Sequence, residues 1–457
     1  MPTGLFRDPL LNLFASVQTR VLLHNEASSL EEISARFAAL DVKLTCSQTP
    51  SEVNKTKHNL ILVMLESTTS QYVSLFGHPE TTWPRLKKYR DRMEIFPFFF
   101  SCFPESSNAD FCVMSGLYPP DFLLLRQNPA IPVRLLPDYL KAAGYDCSLF
   151  FSGFLGDTGL SAFYRARGFD RIYDAGNMPE AGRNESWLWG VKEEHVVTQI
   201  KKLLEKLTQK PDQPFFIYYR MLFPHAPFQS ISETPPTFSE EGHQHGNLVG
   251  RFKNCLLYQD AQITTLLEHL DKSGIASSTV VMLVADHGTM LGEAGRLGHG
   301  WNLAPLLTNV PMVIIWPKAG GFKENPSLCS QVDVLPTALA ITGNTPEESF
   351  FCQGKNLFAV KNTEGDESSR IYLSSMSQLA IVENNFYHLI RDKDAGPVET
   401  FKILRDGAKI EFNPARVEAS DSLAKSFITL QTTFLKHAGY YQQELKKAQS
   451  RLTPARK

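Results

Sequence analysis

The stretch Thr279-Val-Val-Met-Leu-Val-Ala-Asp-His-Gly288 constrains the fold more than any other part of this chain. Its six apolar residues, 280–285, are too few for a buried helix. They suit a central strand of a parallel sheet, where both faces are covered. The run stops on an acid and an imidazole, Asp286 and His287, and Gly288 then permits a sharp turn. In open α/β sheets ligands bind outside the carboxyl ends of the strands. A hard oxygen donor beside an imidazole at such an edge suits a divalent metal, although Asp-His pairs also cap helices and close turns.

The same grammar recurs along the chain. Asn59-Leu-Ile-Leu-Val-Met-Leu-Glu66 is a second apolar run ending on an acid. Further strands are expected at 147–151, at 215–221 (followed by Phe-Pro-His225-Ala-Pro) and at 310–316. Between them the periodicity predicts helices over 133–143, 192–207 and 248–273. Strands alternating with helices predict an α/β fold, a mostly parallel central sheet sandwiched by helices. From about 370 the pattern changes to short antiparallel strands at 370–373, 379–383 and 386–391, with a turn at Glu383-Asn384-Asn385. A final helix is expected from about 420 to 448. The chain thus divides into an N-terminal helical segment and linker (1–57), a catalytic-type α/β domain (58–365) and a small C-terminal subdomain of antiparallel strands plus helix (366–457).

Bulk charge narrows the function. Forty-six Lys and Arg stand against 48 Asp and Glu, so nothing points to nucleic acid or to an anionic membrane surface. No apolar run reaches transmembrane length, and the N-terminus lacks a charged-then-apolar signal pattern. The seven cysteines (46, 102, 112, 147, 255, 329, 352) form no C-x-x-C and no short framework, which reads as free buried thiols.

Three expected strand ends present Glu66, His225 and Asp286-His287. A fourth feature is Phe103-Pro-Glu-Ser-Ser-Asn-Ala-Asp-Phe-Cys-Val-Met-Ser-Gly-Leu-Tyr-Pro-Pro120, whose small polar residues lead into a helical run. That places Ser106 at or beside a helix N-terminus, where unpaired N–H groups and the dipole favour an anion. A serine there, beside a metal held by two acids and a histidine, is a nucleophile whose hydroxyl pKa the metal lowers.

The order Glu66, Ser106, His225-x-Pro, Asp286-His-Gly, Gly298-His-Gly300 resembles the alkaline phosphatase superfamily and its sulfatase-type domain. The branch most resembled is that of the lipoteichoic acid synthases and phosphoglycerol transferases. Asn59 to Ser67 matches the N-x-I-x-x-x-x-E-S start of that branch. Ser106-Ser-Asn-Ala-Asp-Phe111 with Ser115-Gly-Leu-Tyr-Pro119 matches its nucleophile block, and Val310-Pro-Met-Val-Ile-Ile and Asp333-Val-Leu-Pro-Thr337 match later landmarks. The resemblance covers roughly residues 59–345. It implies one divalent ion, Mn²⁺ first with Mg²⁺ or Zn²⁺ as alternatives, held by Glu66, Ser106, Asp286 and His287. Ser106 would be the nucleophile, with Ser107 as fallback, and His225 the general acid or base. His225 and His299 would contact the transferred group, with Arg296 and Trp301 as further substrate-binding candidates. A lone loop arginine is usually solvated, however, and Trp301 can simply pack.

Cys102-Phe-Pro104 imitates the start of the sulfatase C-x-P-S-R motif, whose cysteine becomes formylglycine. In that family the nucleophile lies ten residues before the Gly of the following T-G. Counting back from Gly116 reaches Ser106, while Cys102 lies fourteen back and the Arg position falls on Asp110. Cys102 therefore reads as a core thiol. The polymer-synthesising relatives also carry a His-Gly and a W-x-R segment where this chain has Phe151-Ser-Gly-Phe-Leu-Gly-Asp-Thr-Gly159, which leaves the substrate open.

The leading expectation is a metal-dependent phosphoester hydrolase or phosphotransferase with a covalent serine intermediate. It would act on a small-molecule, lipid-linked or glycan phosphate or sulfate ester. The rivals are a sulfatase using unmodified serine and a non-catalytic binding module that retains the fold. Relatives in the resembled branch hold this domain outside the cytoplasmic membrane behind transmembrane helices. The resemblance thus implies an extracytoplasmic place near a membrane if an anchor precedes the chain, and a cytoplasmic one if the chain is complete.

Overall fold

The computed structural model describes residues 29–436, apart from 41, 47–56, 120–128, 179–185, 188, 230–236, 241–246, 345–349, 360–369, 392–397 and 416–421, together with Glu444. The helical pattern near 10–17, most of the linker and the end of the last expected helix lie outside the described residues.

Helix α1 (Leu30–Ala38) opens on a capping box between Ser29 and Glu32. It precedes β1 (Asn59–Leu65), β2 (Met93–Ile95), helix α2 (Ser106–Ser115) and helix α3 (Leu136–Ala142). Next come β3 (Asp146–Phe151), β4 (Arg171–Tyr173), α4 (Glu193–Leu207), β5 (Phe215–Arg220) and α5 (Leu248–Lys272). The chain continues through β6 (Thr279–Ala285), β7 (Met312–Ile315), β8 (Lys323–Glu324) and α6 (Val334–Ile341). Strands β1 to β8 form one sheet in the order β8-β2-β7-β6-β1-β5-β3-β4.

The sheet is parallel except at β7. The run 279–285 pairs in parallel with 59–65, and 60–64 in turn with 216–220, so three apolar runs form the centre. Every residue of β3, β5 and β6 is buried, as expected for strands covered on both faces. The expected strand at 310–316 is present but runs antiparallel to β6. A parallel return needs a crossover to the far end of the sheet. Here the segment between β6 and β7 stays at the carboxyl end of β6, building the loop around Asp286, His287 and His299, and the chain re-enters the sheet from that same end.

The C-terminal subdomain is a five-stranded antiparallel sheet with strands in sequence order: β9 (Ile371–Ser374), β10 (Leu379–Glu383), β11 (Phe386–Ile390), β12 (Val398–Asp406) and β13 (Lys409–Ala415). Asn384 and Asn385 both have positive φ, 49° and 61°, and join paired residues Glu383 and Phe386 as a two-residue turn. Helix α7 (Ser422–Lys436) closes the described chain and packs Phe427 flat on Tyr372, ring centroids 4.0 Å apart. Among the described residues no helix is long and apolar enough to cross a membrane. Six cysteines are free and buried, as the scattered spacing suggested.

Candidate active site

The carboxyl ends of β1 and β6 lie side by side, because Ala285 pairs with Leu65. Glu66 and Asp286 are the next residues on each strand, so the two acids meet at the sheet edge. Both are buried, 3% and 1% exposed. One Asp286 oxygen, Oδ1, accepts from the backbone N–H of Ser67 at 2.8 Å and of His287 at 2.6 Å. The Ser67 hydroxyl donates to Glu66 Oε1 at 2.6 Å. These bonds fix both carboxylates without neutralising either. Burial pushes Asp286 up to about 7, the Glu66 carboxylate pushes in the same direction, and His287 opposes them.

His287 is fully buried, and its Nδ1 lies 2.9 Å from the Gly288 carbonyl. A carbonyl only accepts, so Nδ1 carries the proton and Nε2 turns a lone pair toward the acids. His287 Nε2 is 3.4 Å from Asp286 Oδ2 and 4.0 Å from Glu66 Oε1. Gly288 is needed for close approach rather than for a left-handed turn: a Cβ there would sit 2.3 Å from the Leu306 carbonyl oxygen.

Ser106 is the first residue of α2, capped by Glu105, whose carboxylate accepts from the N–H groups of Ser107 and Asn108 at 3.1 Å each. Ser106 Oγ lies 3.3 Å from Glu66 Oε2 and 3.2 Å from His287 Nε2. Ser107, the fallback, is the next residue of the same helix, and its N–H is spent on the cap. Cys102 is 1% exposed in the core, its backbone N–H held by Gln331 Oε1 at 3.0 Å. Gln331 was not foreseen. Its amide also donates to the carbonyls of Ala285 (3.0 Å) and Asp286 (2.6 Å), clamping the approach to α2 onto the end of β6.

His299 stacks on His287, centroids 3.9 Å apart and 24° between planes. Its Nδ1 faces the Pro104 carbonyl at 3.2 Å, so Nε2 holds the lone pair. Burial lowers its pKa well below the ordinary value, helped by His287 and His225, which keeps it neutral. Glu66, His287 and His299 each offer a ligand atom within 4.8 Å of one another. Two facing buried acids, with imidazole nitrogens of His287 and His299 close by, fit a divalent cation. His299 thus joins the ligand-spaced cluster, beyond the substrate contact expected of it.

His225 is half-buried, with its ring 6.5 Å from that of His299 and its Nδ1 2.8 Å from the Ala226 carbonyl. Its loop is anchored by Glu193, the first residue of α4, also missed in the sequence. The buried Glu193 carboxylate accepts from the N–H groups of Leu222 (2.8 Å) and Phe223 (3.3 Å), from Ser152 Oγ (2.7 Å) and from the Tyr219 hydroxyl. Burial pushes it up to about 7 against those bonds. Arg296 is exposed at the end of the turn Glu293–Gly295 and is not drawn into the cluster. Trp301 is 55% exposed; its carbonyl accepts from Ser375 and Ser377 of the C-terminal subdomain, so its backbone, rather than its ring, is what the fold uses.

Beneath the nucleophile lies a buried ion pair that the sequence did not signal. Asp110, one turn after Ser106 on α2, takes Arg220 Nε at 2.9 Å from the end of β5, and the Tyr218 hydroxyl also donates to it. Both partners are essentially inaccessible. Burial works against the Arg220 charge, while Asp110, Tyr164, Tyr218 and Glu66 sustain it.

Comparison with known proteins agrees with this arrangement. The family model described as Sulfatase matches residues 58–344. An ulvan-active sulfatase of Formosa agariphila is 24% identical over 73% of this chain and 59% of its own length. The lipoteichoic acid synthase of Staphylococcus aureus is 23% identical over 66% of this chain and 48% of its own. The chain therefore spans about half to three-fifths of these relatives. Among solved structures, an alkaline phosphatase superfamily protein from Vibrio parahaemolyticus superposes with TM-score 0.68, at 18% identity, covering 92% of this chain and 97% of that one. The lipoteichoic acid synthase LtaP of Listeria monocytogenes gives TM-score 0.69 at 16% identity, covering 90% and 98%. With the matched model spanning more than half its length, the chain belongs to the sulfatase family, and it shares its fold with the alkaline phosphatase superfamily protein of Vibrio parahaemolyticus.

Proposed function

We propose that this protein is a metal-dependent hydrolase or transferase of phosphate esters that works through a covalent Ser106 intermediate. The observation that carries this reading is the position of Ser106 Oγ. It stands at a helix N-terminus, 3.3 Å from a buried carboxylate and 3.2 Å from an imidazole nitrogen. Glu66, Asp286, His287 and Ser106 Oγ would hold the cation, with His299 beside them. Once bound, Mn²⁺, Mg²⁺ or Zn²⁺ would lower the serine pKa and offset the charge of the two acids.

The chain's own groups do the rest. Ser106 Oγ gives its proton to the Glu66 carboxylate 3.3 Å away, which returns it when the intermediate is cleaved, and forms the bond to phosphorus while the bond from phosphorus to the leaving oxygen breaks. The departing oxygen takes a proton from His225, whose Nε2 faces away from the Ala226 contact. The partial positive charge at the start of α2 stabilises negative charge on the transferred group, while the Ser107 and Asn108 N–H groups stay held by the Glu105 cap. Water or an acceptor alcohol then attacks from the opposite side, loses its proton to the same histidine and frees Ser106. A second reading keeps these roles but transfers a sulfuryl group. It is favoured by the family model and by the ulvan-active sulfatase. A matched phosphodiester, phosphomonoester and aryl sulfate separate the two. Turnover of the sulfate alone contradicts the phosphoryl reading, and turnover of none contradicts both.

Metal binding should depend on pH in a defined direction. Asp286 is raised to about 7 in the metal-free protein. Its contribution to folding stability is therefore complete below the ordinary carboxylate range and is lost as pH rises through about 7. A cation needs the carboxylate ionised, so it competes with that proton. At free Mn²⁺ a hundredfold above Kd the added stability is about 2.7 kcal/mol. Thermal denaturation should show a larger Mn²⁺-induced rise in Tm at pH 8 than at pH 6, and little rise at either pH in Asp286→Asn. An equal rise at both pH values would remove Asp286 from the ligand set.

A further inference from the structure

Two large aromatic side chains are held out toward solvent beside the candidate active site. A short hairpin, with Ser186–Trp187 pairing to Gly190–Val191, docks against the end of β3. The Val191 N–H donates to the Ser152 carbonyl at 2.8 Å, and Gly153 and Gly190 form an antiparallel bridge. The approach is so close that a Cβ at Gly190 would lie 2.0 Å from the Ser152 carbonyl oxygen. The residues next to that bridge are Phe154 and Trp189. They are 36% and 47% exposed. Trp189 is also pinned: its indole N–H donates to the Ala226 carbonyl at 2.9 Å, and its ring lies 5.1 Å from that of His225. The rings of Trp189, His225, His299 and His287 thus form a continuous row from the exposed pair to the ligand cluster.

We propose that Trp189 and Phe154 form a stacking platform for a sugar ring, so that the substrate is a glycan ester whose pyranose rests there while its esterified group reaches Ser106. This rests on the ester-cleaving reading above and names its substrate class. A fixed, exposed indole loses little further freedom when a ligand covers it, and it offers a flat apolar face to the C–H side of a pyranose. The surrounding backbone and His225 supply polar partners for the hydroxyls at the ring edge. The exposed apolar surface around the site is mainly aromatic, Phe154 and Trp189 here with Trp301 on the His299 loop, which suits a ring-shaped ligand better than a flexible acyl chain.

The test compares glucose 6-esters, glycerol esters and 4-nitrophenyl esters, each as phosphate and as sulfate, on the full chain. For the transferred group that reacts, kcat/KM should favour the glucose ester over the glycerol ester about tenfold or more. Trp189→Ala should collapse that ratio toward one, mainly through KM, and Trp189→Phe should retain part of it. Equal use of glucose and glycerol esters by the wild type overturns the platform. So does an equal loss on both in Trp189→Ala, which would make Trp189 a support for the His225 loop. A Trp189-dependent preference for the nitrophenyl ester over the glucose ester also overturns it, in favour of an aryl substrate. If no ester turns over, the proposed reaction fails. The platform is then tested separately by calorimetry of glucose 6-phosphate and glucose 6-sulfate binding to Ser106→Ala. Binding that Trp189→Ala abolishes supports the platform; no binding, or binding that Trp189→Ala leaves intact, overturns it.

Discussion

Ser106→Ala is expected to lower turnover by at least about a thousandfold while leaving the fold intact. Removing a nucleophile that acts as a unit with its neighbours costs several orders of magnitude, because no other group takes over the bond-forming step. Ser107 is the obvious substitute, but its backbone is tied into the Glu105 cap. The alanine side chain fits where the serine was, since Ser106 is only partly buried and its hydroxyl bonds run to Glu66, His287 and Asp286 within the site itself. Metal affinity should weaken, because one ligand atom is lost and three or four remain. The measurement is single-turnover kinetics with the preferred ester, beside urea denaturation of both proteins. Full activity in Ser106→Ala with an unchanged denaturation midpoint would remove Ser106 from the mechanism.

The second large effect is expected one helical turn deeper. Arg220→Met leaves the Asp110 carboxylate buried without its cation, and Asp110→Leu leaves the Arg220 guanidinium without its anion. Breaking one side of a buried pair typically costs about 3–5 kcal/mol. Replacing both partners by apolar residues is far milder, so Asp110→Leu combined with Arg220→Met should lose less than the two single changes added together. Urea denaturation of the four proteins measures this directly. Strict additivity would mean that the pair is not coupled. Because Asp110 shares α2 with Ser106, the single variants should also lose activity beyond what the unfolded fraction explains.

Much of this arrangement was legible in the sequence because period and spacing are local properties. Apolar runs of six or seven residues ending on Glu66 and on Asp286 became adjacent strands, and counting back from Gly116 reached the serine that starts α2. The two asparagines at 384–385 marked their turn correctly. Other features depended on relations that no local pattern carries. The direction of β7 follows from where the preceding loop stays, not from its own apolar residues. Strands β12 and β13 were missed because they are half-exposed and rich in charge, and only Asp406-Gly407 between them marked the turn. Gln331, Glu193 and the Asp110–Arg220 pair act across the fold, up to 230 positions apart in the sequence for Gln331 and Ser101. They read in sequence as ordinary polar residues. Glu105 had the clearest signal, as an acid just before a helix start. Arg296 and Trp301 lie near His299 in sequence, and both are exposed.

The central claim is that Ser106 takes up the transferred group. The most direct test is peptide mass spectrometry of the Mn²⁺-loaded protein, quenched in acid during turnover of a phosphodiester and, separately, of an aryl sulfate. From the phosphodiester the account predicts one added phosphoryl group, still esterified to the alcohol that did not leave, on the peptide carrying Ser106, fragmenting to that residue, and no such adduct in Ser106→Ala. Steady turnover with no adduct on Ser106, or an adduct on Ser107 or Cys102 instead, would contradict it.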